Sequence, residues 1–320
     1  MKNSKAILKT PGTMKIIAAD IPVPKEHEVL IKVEYVGICG SDVHGFESGP
    51  FIPPKDPNQE IGLGHECAGT VVAVGSRVSK FKPGDRVNIE PGVPCGHCRY
   101  CLEGKYNICP DVDFMATQPN YRGALTHYLC HPESFTYKLP DNMGTMEGAL
   151  VEPAAVGMHA AMLADVKPGK KIVILGAGCI GLMTLQACKC LGATDIAVVD
   201  VLEKRLAMAG KLGATTVING AKEDTVARCQ QFSGDIGADI VFETAGSAIT
   251  VKQAPYLVMR GGKIMIVGTV PGDSAINFLK INREVSIQTV FRYANRYPVT
   301  IEAISSRSEE RRVGKECRSR

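Results

Sequence analysis

Lys170-Lys171-Ile172-Val173-Ile174-Leu175-Gly176-Ala177-Gly178-Cys179-Ile180-Gly181-Leu182 decides the fold of this 320-residue chain. The β-branched run up to Leu175 suits a strand buried on both faces, and Leu182 to Leu191 carries helix formers with no proline. Between them the glycines follow a G-x-G-x-x-G pattern, each with its own task. Gly176 makes the tight turn, Gly178 lets backbone approach a pyrophosphate, and Gly181 lets helix pack on strand. Phosphates would sit on the helix N-terminus, where unpaired N–H groups and the dipole favour negative charge. The pattern also occurs where nothing binds, so its surroundings have to support it.

They do. Thr194 to Asp200 reads as a second strand, ending in an acid nineteen residues beyond Gly181, where a carboxylate accepts hydrogen bonds from an adenosine ribose. Asp200 would repel a 2′-phosphate and so points to NAD, while Arg205 is close enough to keep NADP open. Residues 203–212 read as a helix and 215–218 as a strand; strands 238–243 and 263–268 follow, separated by a helix-capable stretch. This alternation predicts an α/β fold with a doubly wound sheet.

The length allows two domains, and a 45% hydrophobic content is that of an ordinary soluble protein. The longest apolar window, Ile172 to Cys188, is the glycine turn itself, and the N-terminus leads into a strand rather than a signal peptide, so no membrane partner is expected. Of the net charge of +4, six basic and three acidic residues lie in 307–320, leaving 31 against 30 elsewhere and no nucleic-acid footprint. Twelve cysteines without an export signal, four of them within fifteen residues, point to metal ligation rather than disulfides.

Residues 307–320 have no apolar periodicity and are expected to be disordered. Their Arg-Ser-Glu-Glu opening resembles an in-frame translation of a sequencing-library adapter, which makes the tail an expected artefact joined to a gene cut at about Ser306. An independent read of the locus that returned the same codons would rule this out.

From Lys5 to about Val87, short alternating strands such as 28–33 and 69–74, broken by glycine and proline turns, predict a compact β-rich domain. Within it Cys39, His65 and Glu66 are three groups from two loops, the number a catalytic zinc uses when one position stays open. By spacing alone, a cysteine that far from a His-Glu pair is more often unconnected. Cys95, Cys98, Cys101 and Cys109, as C-x2-C-x2-C-x7-C, form a closed four-thiolate site that would brace a loop. Zinc is favoured over the rival iron–sulfur cluster, because hydride transfer needs no electron relay.

Taken together, these residues resemble the zinc-containing medium-chain dehydrogenases, and within them the sorbitol (polyol) dehydrogenase branch. The resemblance covers nearly all of residues 5–306. It rests on Gly37-Ile38-Cys39-Gly40-Ser41-Asp42-Val43-His44, Gly64-His65-Glu66, the four-cysteine lobe, Gly148-Ala149-Leu150-Val151-Glu152-Pro153 and Val290-Phe291-Arg292-Tyr293. It implies a GroES-like catalytic domain over 1–150 with a zinc lobe at about 92–112, a Rossmann domain over 151–290, and a return to the catalytic domain over 291–306. Cys39, His65 and Glu66 are implied as catalytic zinc ligands with Glu152 behind the open position, and the four cysteines as ligands of a structural zinc. Ser41 and His44 would pass the proton outward, while Arg292 and Tyr293 hold substrate hydroxyls. Ile180 joins the glycines, Asp200 and Arg205 in holding the cofactor, and Val267, Gly268, Thr269, Val290 and Phe291 line the nicotinamide site.

The implied activity is oxidation of a polyol's secondary hydroxyl, acidified by zinc, with hydride passing to NAD. The implied setting is a cytoplasmic homotetramer or homodimer joined through the sheet edge. Two departures stand out. Gly45 occupies a position where polyol enzymes of this branch often carry tyrosine, which keeps threonine or butanediol in play as substrate. The family also continues past Ser306. The reading from another class is a catalytically silent nucleotide-binding protein, which would hold one zinc per chain rather than two.

Overall fold

The computed structural model describes residues 2–306, which divide into two units, residues 2–152 with 297–306 and residues 153–296. The adapter-like segment 307–320 lies outside the described residues.

The first unit runs β1 (Asn3–Thr10), β2 (Thr13–Ala19), β3 (Glu28–Gly37), α1 (Gly40–Ser48), β4 (Ile61–Gly62), β5 (Glu66–Val74), β6 (Arg86–Ile89), β7 (Gly92–Val93), α2 (Arg99–Leu102), β8 (Asp113–Phe114), β9 (Tyr128–Pro132), β10 (Thr136–Lys138) and α3 (Thr145–Ala149). Five strands form an antiparallel sheet in the order β10-β6-β5-β3-β9, beside a three-stranded sheet β2-β1-β4 and the ribbon β7-β8. Val29, Ile31, Val71, Val87 and Ile89 are at most 1% exposed and form the core of the larger sheet. Each such side chain stabilises the fold by about 1.5–3 kcal/mol relative to exposure. Both β3 and β5 extend beyond their expected spans, and their register sets Gly37 opposite Glu66. That pairing delivers the segment after β3 to the start of β5.

α4 (Val151–Leu163) opens with the last two residues of the 2–152 stretch of the first unit and continues as the start of the second, leading into β11 (Lys171–Leu175), α5 (Cys179–Cys190), β12 (Asp195–Asp200), α6 (Glu203–Lys211), β13 (Thr216–Asn219), α7 (Thr225–Ser233), β14 (Ala238–Glu243), α8 (Ala248–Gln253), β15 (Val258–Ile266), α9 (Phe278–Ile281) and β16 (Ser286–Thr289). All six strands are parallel, in the order β13-β12-β11-β14-β15-β16. Ile172, Val173, Ile174 and Leu175 at the centre have no exposed surface. The strand order reverses between β11 and β14, and in such sheets ligands bind beyond the carboxyl ends at that point.

Two strands differ from expectation. β15 starts at Val258 rather than Lys263, passing through Gly261, whose φ of +71° takes up a register shift against β14. β16 escapes the sequence reading because all four of its residues are exposed, so it carries no buried periodicity. After it, α10 (Tyr297–Ser306) belongs to the first unit, where the fully buried Tyr297 donates its hydroxyl to the Ile89 carbonyl at 2.7 Å.

Candidate active site

Cys39 stands at the N-cap of α1, and His65 and Glu66 stand where β5 begins, so the β3–β5 register brings one loop onto the other. One ligand atom from each of the three lies within 4.8 Å of the others. A Cβ on Gly37 would run into Glu66 Oε2, so a larger residue there would require the Glu66 side chain to move. Burial and the Glu66 carboxylate push the Cys39 thiol up to about 11, whereas the Ser41 hydroxyl and N–H bond the sulfur and pull the other way. Burial, then Asp42, pushes Glu66 up to about 7. A buried thiol, imidazole and carboxylate converging on one point suit a divalent cation, whose charge reverses both pressures, and the mixed donors suit zinc.

Asp42 organises this set, and the sequence reading assigned it no role. It is 4% exposed; Oδ2 accepts the Cys39 N–H at 3.0 Å, Oδ1 accepts the Gly64 N–H at 2.7 Å, and Oδ1 lies 3.9 Å from His65 Nδ1. The available signal was an acid at the third helical position, which reaches back to the N-cap. Glu152, in the first turn of α4, is buried, and its charge adds to the upward pressure on Cys39. The His44 ring stacks on Phe51 with centroids 3.8 Å apart and planes 8° apart. Gly45 is buried, and a Cβ there would stand 3.1 Å from Leu63 Cδ2, so a larger residue would require Leu63 to shift.

The four lobe cysteines also bring their sulfurs within 4.8 Å of one another. Cys98 and Cys101 sulfurs are 3.4 Å apart, and backbone N–H groups of Cys95 and Cys98 point at Cys109 and Cys95 sulfurs at 3.5 and 3.4 Å. The His97 and Cys98 N–H groups lower the Cys95 thiol to about 6, toward the thiolate a metal takes. His97 is exposed and bonds the Cys95 carbonyl instead of joining the sulfurs. Four convergent thiols, with no fifth ligand among the described residues, fit a closed zinc site.

In the second unit, Gly176 turns with a φ of +105°, and a Cβ on it would stand 2.8 Å from the Ala245 nitrogen. Gly181 packs on the Gly176 carbonyl and on Thr244 Oγ1, so helix meets strand as expected. Gly178, by contrast, has open space where its Cβ would be. That clearance, at the N-cap of α5 beside Cys179 and Ile180, is what a pyrophosphate needs. Asp200 ends β12; it accepts the Ala177 N–H at 2.7 Å and the Leu202 N–H at 2.9 Å, and Arg205 lies 3.7 Å from it. Val267 and Gly268 donate N–H groups to the Glu243 carbonyl, and Val290 donates to Ile266. Thr269 and Phe291 are exposed, the Arg292 guanidinium lies 4.7 Å from the Phe291 ring centroid, and Tyr293 is buried. These residues belong to the second unit, and the Cys39, His65 and Glu66 set to the first. Among the described residues no helix is long and apolar enough to cross a membrane.

The alcohol dehydrogenase GroES-like domain family matches residues 25–141, and the zinc-binding dehydrogenase family matches residues 179–306. The chain is 94% identical over 306 residues to an uncharacterized zinc-type alcohol dehydrogenase-like protein of Escherichia coli (strain K12), covering 96% of this chain and 88% of that one. It is 43% identical over 314 residues to the sorbitol dehydrogenase of Bacillus subtilis (strain 168), covering 94% and 85%. Among solved structures, an E. coli oxidoreductase/dehydrogenase of unknown specificity involved in membrane biogenesis matches with a TM-score of 0.95 and 93% identity, covering 96% and 88%. The 2R,3R-butanediol dehydrogenase of B. subtilis matches with a TM-score of 0.86 and 31% identity, covering 95% and 88%. A Sinorhizobium meliloti protein bound to NADP matches at 0.88 and 29%, covering 96% and 89%.

Proposed function

The chain belongs to the zinc-containing medium-chain dehydrogenase family, in its sorbitol dehydrogenase branch, and from that premise we propose that it oxidises a secondary hydroxyl of a sorbitol- or xylitol-like polyol to the ketose, with NAD as hydride acceptor. The buried convergence of Cys39, His65 and Glu66 carries the reading.

Zinc held by those three residues would supply a Lewis acid that acidifies the substrate hydroxyl near neutral pH. Glu152 holds a carboxylate beside this set, Ser41 and His44 move the released proton outward, and the Phe51 stack orients the His44 ring. Gly176, Gly178, Ile180 and Gly181 seat the pyrophosphate on α5. Asp200 accepts the ribose hydroxyls, and its charge opposes a 2′-phosphate, while Arg205 is drawn toward Asp200 rather than left for that phosphate. Val267, Gly268, Thr269, Val290 and Phe291 line the nicotinamide, and Arg292 with Tyr293 holds substrate hydroxyls. Cys95, Cys98, Cys101 and Cys109 hold a second zinc that does no chemistry. The exposed edge strand β16 is the surface through which the chain pairs as a homodimer or homotetramer.

Gly45 favours a second reading, in which the substrate is butanediol or threonine. The deciding experiment compares sorbitol, xylitol, butanediol and threonine with the zinc-loaded protein, each with NAD and NADP, following reduced cofactor. Polyol and NAD preference supports the proposal. Turnover of threonine or butanediol alone moves the substrate, NADP preference moves the cofactor, and silence on all four revives the non-catalytic reading.

A further inference from the structure

Glu243, the last residue of β14, has no exposed surface. Its Oε1 accepts the N–H groups of Ala245 at 3.0 Å, Gly246 at 2.9 Å and Ser247 at 3.5 Å, and the Thr250 hydroxyl at 2.7 Å. Its main-chain carbonyl accepts the N–H groups of Val267 at 2.8 Å and Gly268 at 2.9 Å. One residue thereby ties the segment after β14 to the segment after β15. The other carboxylate oxygen, Oε2, is buried with no hydrogen-bond partner among the described residues. It faces Gly268, where a Cβ would stand 2.7 Å away and would also run into the Gly246 nitrogen. Burying a carboxylate with one oxygen unsatisfied is costly, and the four donors gathered on Oε1 are what offsets that cost. The Asp200 carboxylate shares none of these bonds; it holds Ala177 and Leu202 on the other side of β11.

We infer that Glu243 is the positioning residue for the nicotinamide end of the cofactor. Its side chain fixes 245–250 and its main-chain carbonyl holds 267–268, so the two together set the backbone that the nicotinamide meets, while the adenosine ribose is held by Asp200 at the end of β12. The inference rests on the dinucleotide reading of 176–181.

The test measures binding of NADH, and of ADP-ribose, which lacks the nicotinamide, to Glu243→Ala and Glu243→Gln. NADH is read by its own fluorescence and ADP-ribose by calorimetry. Glu243→Ala is expected to lose about ten-fold or more in NADH affinity and to hold ADP-ribose within about two-fold. Glu243→Gln keeps an accepting oxygen and is expected to recover most of the NADH affinity. Equal loss of both ligands would mean general damage to the fold and overturn the inference, as would unchanged NADH binding in Glu243→Ala. Should Glu243→Ala fail to fold, Thr250→Val, which removes only the hydroxyl donated to Oε1, supplies the same comparison with a smaller expected loss. Binding is read without turnover, so a protein that binds NADH but oxidises no polyol defeats the substrate reading and leaves the role of Glu243 standing.

Discussion

Asp42 shows how one buried carboxylate can organise a candidate metal site without being counted among its ligands. With one oxygen on the Cys39 N–H and the other between the Gly64 N–H and His65, it fixes both loops at once. Asp42→Ala is therefore expected to weaken zinc at the Cys39 site by about 10–100-fold, measured by chelator competition, with the four-cysteine site unaffected. Equal affinity in the variant would leave Asp42 a helix cap only. His131 makes a separate residue-scale prediction. It is buried, donates a ring N–H to the Glu90 carbonyl at 2.9 Å, and is driven by burial down to about 4 from 6.5. Between those values the unfolded chain binds the extra proton, so stability is whole above about pH 6.5 and falls on acidification by up to ~3 kcal/mol. The denaturant midpoint should drop from pH 7 to pH 5, and His131→Gln should flatten that drop. Residue type put Cys39, His65 and Glu66 forward as candidates, and only the family resemblance joined them into one set. Its members are far apart in sequence, and spacing carries no information on which strands will pair.

Among the elements, the strand–turn–helix of β11 and α5 was the most legible, since buried β-branched residues, glycines and helix formers each signal locally. Its glycines also separate experimentally. Gly178→Ala meets open space and is expected to leave the melting temperature unchanged while lowering NADH affinity about ten-fold or more, because the methyl occupies the phosphate's approach. Gly181→Ala, pressed against the Gly176 carbonyl and Thr244, should lower both. If Gly178→Ala bound NADH normally, the clearance there would have no part in cofactor binding. The four-cysteine lobe was equally legible, because its ligands are near in sequence. β16 was not: an exposed edge strand is specified by its neighbour β15 and not by its own side chains.

For the molecule as a whole, each unit carries its own core and its own candidate ligands. Zinc removal should therefore raise amide hydrogen exchange around 39–66 and 95–109, and NADH should slow exchange around 176–205, since each ligand stabilises the state that binds it. Zinc removal that loosened 176–205 first would contradict this assignment of ligands to units. The sequence alone determined the doubly wound sheet, the nucleotide turn and the cysteine lobe, because period, glycine spacing and ligand spacing act over a few neighbouring residues. Only the tertiary structure decided that Asp42 stands behind Cys39 and His65, that Glu243 clasps two loops, and that Tyr297 closes onto Ile89. Those contacts join residues brought together by strand register and burial, and a register is set by the whole sheet rather than by any one stretch of chain.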